Sequence, residues 1–223
     1  MRNPLVKRLP RELKGDIGKY LVIFLFMTML ISLVSGFLVA DNSVYDAYKK
    51  GFEKYNVEYA DFVTADEMSD ETIKELENDN KVRIYDQRYY KLKESKRNAT
   101  IRVYGERKEV NKLCIMSGRL AKADDEITLD RVFAKNNDYK VGDNVEIGDK
   151  DYKITGFVAM PDYSCLFEDN ADMMFDSVNF GVASMTDSGL KKLKKSKLNY
   201  CYAMRYNKKP KSDKEQKNMS DDF

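Results

Sequence analysis

The chain has 223 residues, of which 34% are charged and 43% apolar, with a formal net charge of +2. It contains no histidine, which excludes Ser-His-Asp and Cys-His nucleophile systems and any histidine-ligated metal. The near balance of charge leaves no overall field for nucleic acid, and 15 Tyr with 11 Phe argue for a folded aromatic core.

The first 19 residues are basic, with Arg2, Lys7, Arg8, Arg11, Lys14 and Lys19 set against Glu12 and Asp16. Leu9, Leu13 and Ile17 recur every four residues, and Pro10 suits the first turn of a short helix at a membrane surface. Residues 20–40 carry no charge and span about 30 Å as a helix, one bilayer core, so they predict a transmembrane helix. The mean hydropathy of −0.61 for the whole chain leaves too polar a remainder to surround such a rod in a soluble core. Basic residues before the span and Asp41 and Asp46 after it place the N-terminus in the cytoplasm and residues 41 onward outside the cell membrane. A cleaved signal peptide fits worse, because the apolar run is long and Leu38 stands where a cut after Ala40 wants a small residue.

Within the span, Thr28, Ser32 and Gly36 are spaced by four, a stripe that lets a second helix approach closely. Tyr45, Tyr48, Phe52 and Tyr55 then share one helical face, which predicts a stalk packing its aromatic side on the external domain. A strand at 57–64, a helix at 69–78 capped by Ser69 or Asp70, a strand at 81–91, a turn at 95–98 and a strand at 99–104 follow, the order of an α+β layer. Residues 110–158 read as richer in β: a strand at 126–130, a short helix at 132–137, a turn at 140–143, and strands at 144–147 and 152–158, with Gly142 and Gly148 at turn positions needing positive φ. Residues 162–178 are acidic and give no periodic signal, and Met173, Met174 and Phe175 are either exposed or packed. A basic amphipathic helix at 188–196, capped by Asp187 or Ser188, precedes a strand at 200–206, and the charged tail 207–223 is expected to be disordered.

The fold class read from this order is α+β: one N-terminal transmembrane helix, then a two-lobed extracytoplasmic domain at 41–206. Its α+β lobe covers 41–109 and its β-rich lobe 110–206. Cys114, Cys165 and Cys201 are far apart and allow either one disulfide with a spare thiol or three free thiols.

Two stretches resemble a known family. Gly118-Arg119-Leu120, Glu126-Ile127 with Leu129-Asp130, Phe133-Ala134, Val141-Gly142-Asp143, and Tyr152-Lys153-Ile154 before Gly156-Phe157 are similar in order to the extracytoplasmic core domain of FtsX/MacB-like ABC transporter permeases. The basic segment ahead of a membrane helix ending in Ser35-Gly36-Phe37-Leu38 also looks like the large Gram-positive-type members. The resemblance covers most of residues 5–206. It implies a permease subunit that hydrolyses no ATP, works with a cytoplasmic ABC ATPase and a second permease chain as homo- or heterodimer, and moves a lipid, lipoprotein, peptide or antimicrobial compound or activates a wall enzyme. Members return to the membrane for further helices, and no second apolar run of sufficient length is present here. The resemblance would therefore make the chain a fragment or a separately encoded half, with an α+β layer lacking the strands that members add after the β-rich insertion.

No P-loop occurs, in keeping with a separate ATPase, and no cofactor or metal is expected. A membrane-anchored binding or sensing module without transport is the second expectation. An enzyme is the weakest: Ser188-Gly189-Leu190-Lys191 fits SxxK, but no Lys-Thr-Gly follows and Ser177-Val178-Asn179 lies on the wrong side of it. The basic run 191–197 lacks interleaved aromatics, so nucleic acid is not expected as a partner.

Overall fold

A computed structural model describes residues 14–169, 171–193 and 197–221. The chain divides into two compact units, Met1–Lys50 and Gly51–Phe223. The expected surface helix through Leu9 and Pro10 lies outside the described residues.

The first unit is dominated by helix α1 (Ile17–Lys54), 38 residues long. No proline interrupts it, and the long apolar side chains from Leu21 to Val39 are exposed. At 1.5 Å per residue the helix reaches about 57 Å, well beyond one bilayer core. Its length and apolarity are sufficient to cross a membrane. The helix stops because Asn56 takes a positive φ of 51°. The Val57 amide then donates to the Phe52 carbonyl and the Asn56 amide to Glu53, the hydrogen bonds of a left-handed C-terminal cap.

The second unit is a mixed sheet of ten strands. In chain order these are β1 (Ala60–Thr64), β2 (Val82–Asp86), β3 (Tyr89–Lys93), β4 (Thr100–Tyr104), β5 (Cys114–Gly118), β6 (Glu126–Asp130), β7 (Asn144–Glu146), β8 (Asp151–Ala159), β9 (Phe180–Ser184) and β10 (Leu198–Tyr206). They lie in the order β1-β10-β3-β4-β9-β6-β8-β5, with β2 also on β10 and β7 on β8. The pairs β4–β9 and β6–β8 are parallel. The mixed α+β class expected from the sequence holds.

Helix α2 (Asp70–Asn80) is capped by Ser69, whose hydroxyl accepts from the Thr72 amide at 3.2 Å, and it ends on Lys81 at φ 54°. Ile73 and Leu76 pack on a small core of Val82, Ile84, Tyr202, Met204 and Tyr206. A larger core runs from Tyr89 to Leu190 and includes Ile101, Leu129, Phe133, Ile154 and Val182. Helix α3 (Arg131–Asn136) contributes Phe133 and Ala134 to it. Gly142 and Gly148 have φ of 101° and 59°, as their turns require.

Three local expectations need correction, and one strand had no expectation at all. The strand expected at 81–91 is two strands, because the Asp86 carboxylate accepts from the Arg88 amide at 2.9 Å and turns the chain between them. Both strands still pair with β10. The helix expected at 188–196 is the short α4 (Asp187–Lys191), capped by Thr186, whose hydroxyl accepts from Gly189; residues 194–196 lie outside the description. Asp187 and Ser188 are turned elsewhere: Asp187 accepts from the Glu106 amide and Ser188 donates to Asp124. The tail is not disordered throughout, since it carries helix α5 (Asp213–Asp221), where Ser212 accepts from Glu215 and Met219 packs on the small core. Finally β9, buried along its whole length, was not anticipated. A strand covered on both faces shows no alternation, so periodicity has nothing to report.

Candidate functional site

The residues singled out from the sequence fall into four places: the stripe on α1, the crossing of β5 and β8, the start of α3, and the turn before β7. Thr28, Ser32 and Gly36 lie on exposed α1, where the Thr28 hydroxyl donates to the Phe24 carbonyl at 2.8 Å and a Cβ on Gly36 would meet nothing within 4 Å. The stripe is therefore open.

The family-like motif residues form structural devices. Gly118 closes β5 opposite Gly156 of β8, and a Cβ on Gly156 would lie 2.4 Å from the Arg119 carbonyl oxygen. Only two glycines allow strands to pass this closely. Arg119 reaches Glu126 through two hydrogen bonds of 2.7 and 2.6 Å, and Glu126 also accepts from the Lys122 amide. These bonds, Arg119's first, hold the Glu126 carboxyl down at about 2. Asp130 caps α3 by accepting from Val132 and Phe133, while burial pushes its pKa up. Phe133 fills the space that Gly181 leaves, since a Cβ there would sit 2.5 Å from the ring. Gly142 donates to the Ile154 carbonyl, and Asp143 accepts from the Lys140 amide at 2.8 Å. Gly118, Arg119, Glu126 and Gly156 are thus brought together, and Gly142 with Asp143 forms a separate turn.

The site with chemical character lies at the β2–β3 break, and no motif pointed to it. Tyr89 and Tyr90 are successive residues of β3, so they face opposite sides of the sheet, and each lines a cleft. The Tyr90 cleft has a volume of about 500 Å³, the Tyr89 cleft about 380 Å³. Gln87, Tyr104 and Arg107 belong to both. The Arg107 side chain is only 2% exposed and pairs with Asp162, itself 9% exposed, at 2.6 Å. Its guanidinium stands 4.2 Å from the centre of the Tyr104 ring. Arg102 lies between the Tyr89 and Phe180 rings and donates to the Tyr163 hydroxyl at 3.1 Å. The hydroxyls of Tyr104 and Tyr163 are hydrogen-bonded to each other. Buried and partnerless among the described atoms are Gln87 Oε1 and the Nε atoms of Arg102 and Arg107.

Glu58 stands at the acidic end of the smaller cleft. Asn111 Nδ2 donates to its carboxylate at 2.7 Å, and the Glu58 amide donates back to Asn111 Oδ1 at 2.9 Å. Burial, reinforced by the Asp162 charge, raises the Glu58 carboxyl to about 7. Burial and the charge of Asp61 push the Cys201 thiol up to about 12. It is therefore protonated at neutral pH and unsuited to nucleophilic work. All three cysteines are free, which decides between the two cysteine readings. Ser188 of the SxxK match donates to Asp124, which also pairs with Lys192 at 2.6 Å.

At the helix end, Phe52 packs edge-on to Tyr59 at 5.1 Å and the Tyr55 hydroxyl donates to Cys114 Sγ at 2.9 Å. Tyr45 and Tyr48 of the expected aromatic face are exposed. Set beside known protein families and curated proteins, the chain matches no family model and no curated sequence.

Proposed function

We infer that the protein is a membrane-anchored permease subunit of an ABC transporter complex. In this reading α1 spans the cell membrane with the basic N-terminal segment in the cytoplasm, and the folded unit after it is extracytoplasmic and two-lobed. The observation that carries it is α1 itself. The charge-free stretch 20–40 of this 38-residue helix is exposed and apolar, so it has no stable place in water, and about half the length of the helix fits inside a bilayer. The open Thr28, Ser32 and Gly36 stripe supports a second permease helix against it, and lipid meets the rest. A cytoplasmic ABC ATPase supplies the energy, and the subunit passes its motion outward for export of a lipid, lipoprotein, peptide or antimicrobial cargo or for activation of a wall enzyme. The subunit itself is not an enzyme and binds no cofactor.

The test is affinity purification of the chain from its own membranes with mass spectrometry of what accompanies it. An ABC ATPase is expected, and its recovery should fall when Arg8, Arg11 and Lys14 are reversed to Glu. Purification without any ATPase, together with no effect of those reversals, would sink the reading.

A second reading is a membrane-anchored binding or sensing module. The paired clefts at the β2–β3 break favour it, because a pure spacer has no need of cavities of this size. Recovery of the chain in membranes without an ATPase would move the balance to it.

A further inference from the structure

The segment between β8 and β9 presents three successive exposed apolar side chains, two of which are the most exposed large apolar side chains among the described residues of the second unit. Met173 is 96% exposed, Met174 83% and Phe175 55%. Their exposure is not that of a loose loop. On one side Asp172 accepts from the Glu168 and Asp169 amides, and on the other Asp176 accepts from Val178 and Asn179. Arg102 holds the Glu168 carbonyl, and Asn136 and Asn137 hold Ser177 and Val178. Two hydrogen-bonded turns thus present Met-Met-Phe outward on a frame tied to the core. Contiguous exposed apolar side chains of this kind mark an interaction surface, and methionine adapts its shape to the pocket it enters. The segment itself is acidic, with no Lys or Arg between Lys153 and Lys191 and with Asp169, Asp172 and Asp176 beside the prong, while Lys91 pairs with Glu168 at its base.

The same unit carries a receptor of complementary character. A cavity of about 360 Å³ is lined by Leu113, Leu120, Ala121 and Met185, and its charged residues are Arg107, Lys108, Lys122 and Glu106, the last paired with Lys108 at 2.6 Å. Its lining is more apolar than polar, and Leu113 and Leu120 flank β5, the strand that ends the sheet. An apolar prong on a net-acidic segment matches an apolar cavity whose lining carries three basic residues to one acidic.

We propose that the Met173-Met174-Phe175 prong of one copy inserts into the Leu113–Leu120–Met185 cavity of a second copy. Exchanged reciprocally, the two contacts are related by a two-fold axis, since residue i of one chain meets j of the other and j meets i. Three apolar side chains bury far less than the roughly 1,600 Å² of a standard interface, so the contact is weak between free chains. It becomes effective where both copies are held at high local concentration, which the membrane anchoring inferred above supplies. The proposal rests on that anchoring and not on transport.

The test places the photocrosslinking residue p-benzoylphenylalanine at position 174 in the full chain. It is co-expressed with a differently tagged copy, irradiated in intact cells, and the products are mapped by mass spectrometry. The expected result is a crosslink between differently tagged copies that ends within residues 113–122 or 184–186. A converse probe at Leu120 should capture residues 172–176 of the other copy. The Leu120 product should fall by about tenfold or more in M173D/M174D, because burying one Met side chain is worth at least that ratio. It should also fall in K108E/K122E. All four substituted side chains are exposed, so these variants retain the fold. Crosslinks only within one chain, to lipid, or to a different protein would overturn the proposal, as would no product between copies. Fractionation of the same cells separates the two ideas. A chain found in the soluble fraction refutes the anchoring, while a membrane-bound chain without the crosslink refutes only the exchange.

Discussion

Two arginine–carboxylate pairs set the contrast that organises the folded unit. Arg119 and Glu126 meet at the surface of the glycine crossing between β5 and β8, where water and salt screen them. Arg107 and Asp162 meet at 2.6 Å in the wall between two clefts, almost wholly withdrawn from water. The first pair trims a loop. The second is held by the packing around it, by Tyr104 under the guanidinium and by the Tyr163–Arg102 network beside it. A screened pair contributes little when made and costs little when broken. A buried pair contributes little when made but costs much when halved, because the remaining charge has no water to return to.

The largest expected effect follows from that asymmetry. R107A should lower stability by about 3–5 kcal/mol, read as the shift of the urea midpoint, whereas the double change R107M/D162L should recover most of the loss. An R107A midpoint within error of the parent would remove the contrast.

Next in size is G156A. Its Cβ would enter the space of the Arg119 carbonyl, 2.4 Å away, where backbone on both strands must shift. A loss of about 2–3 kcal/mol is expected, of the order of an overpacked core. G142A probes the other case, since nothing crowds its Cβ but its φ is 101°, and it should cost less.

Titration sharpens the comparison from a second side. The Glu58 carboxyl is raised from 4.5 to about 7, so the folded state holds a proton that the unfolded state has released. Stability should therefore fall as pH rises from 4.5 toward 7, and the cost is complete above that. In E58Q this slope should be largely lost and the protein should be more stable than the parent at pH 8. The Glu126 carboxyl is lowered to about 2, so its contribution is complete above 4.5 and is lost as pH falls toward 2. E126Q should flatten only that acid limb. Equilibrium unfolding across pH 2 to 8 reads both, and an unchanged slope between 4.5 and 7 in E58Q would show that Glu58 is not the buried acid described.

The smallest effect belongs to R119K. It keeps the charge but loses the two-pronged geometry, and the midpoint at moderate salt should barely move. A large loss there would mean that the surface pair carries more of the fold than its exposure allows.

Much of the fold was legible because local chemistry is written in adjacent residues. In Glu126–Asp130 the apolar Ile127 and Leu129 alternate with polar residues up to a helix cap, Ser69 precedes acids in a first helical turn, and Gly142 and Gly148 stand where turns need them. The charged tail shows how composition can mislead. Ser212 and Glu215 have the spacing of a capping pair, a signal available in the sequence but outweighed by the polarity of its neighbours. The candidate site was not legible at all. Arg107 and Asp162 are 55 residues apart, Glu58 and Asn111 are 53 apart, and nothing in the spacing of either pair announces a contact.

By itself the sequence determined a long apolar helix, a polar α+β unit after it, and the turns and caps that punctuate that unit. Each of these depends on interactions between residues a few positions apart. The tertiary structure alone decided that β10 joins β1 to both β2 and β3, that β9 enters the middle of the sheet, and that a buried arginine, its partner Asp162 and the half-buried Glu58 stand beside one another. These depend on which distant segments share a face. Burial there, not residue identity, determines whether a charge is screened, paired or shifted.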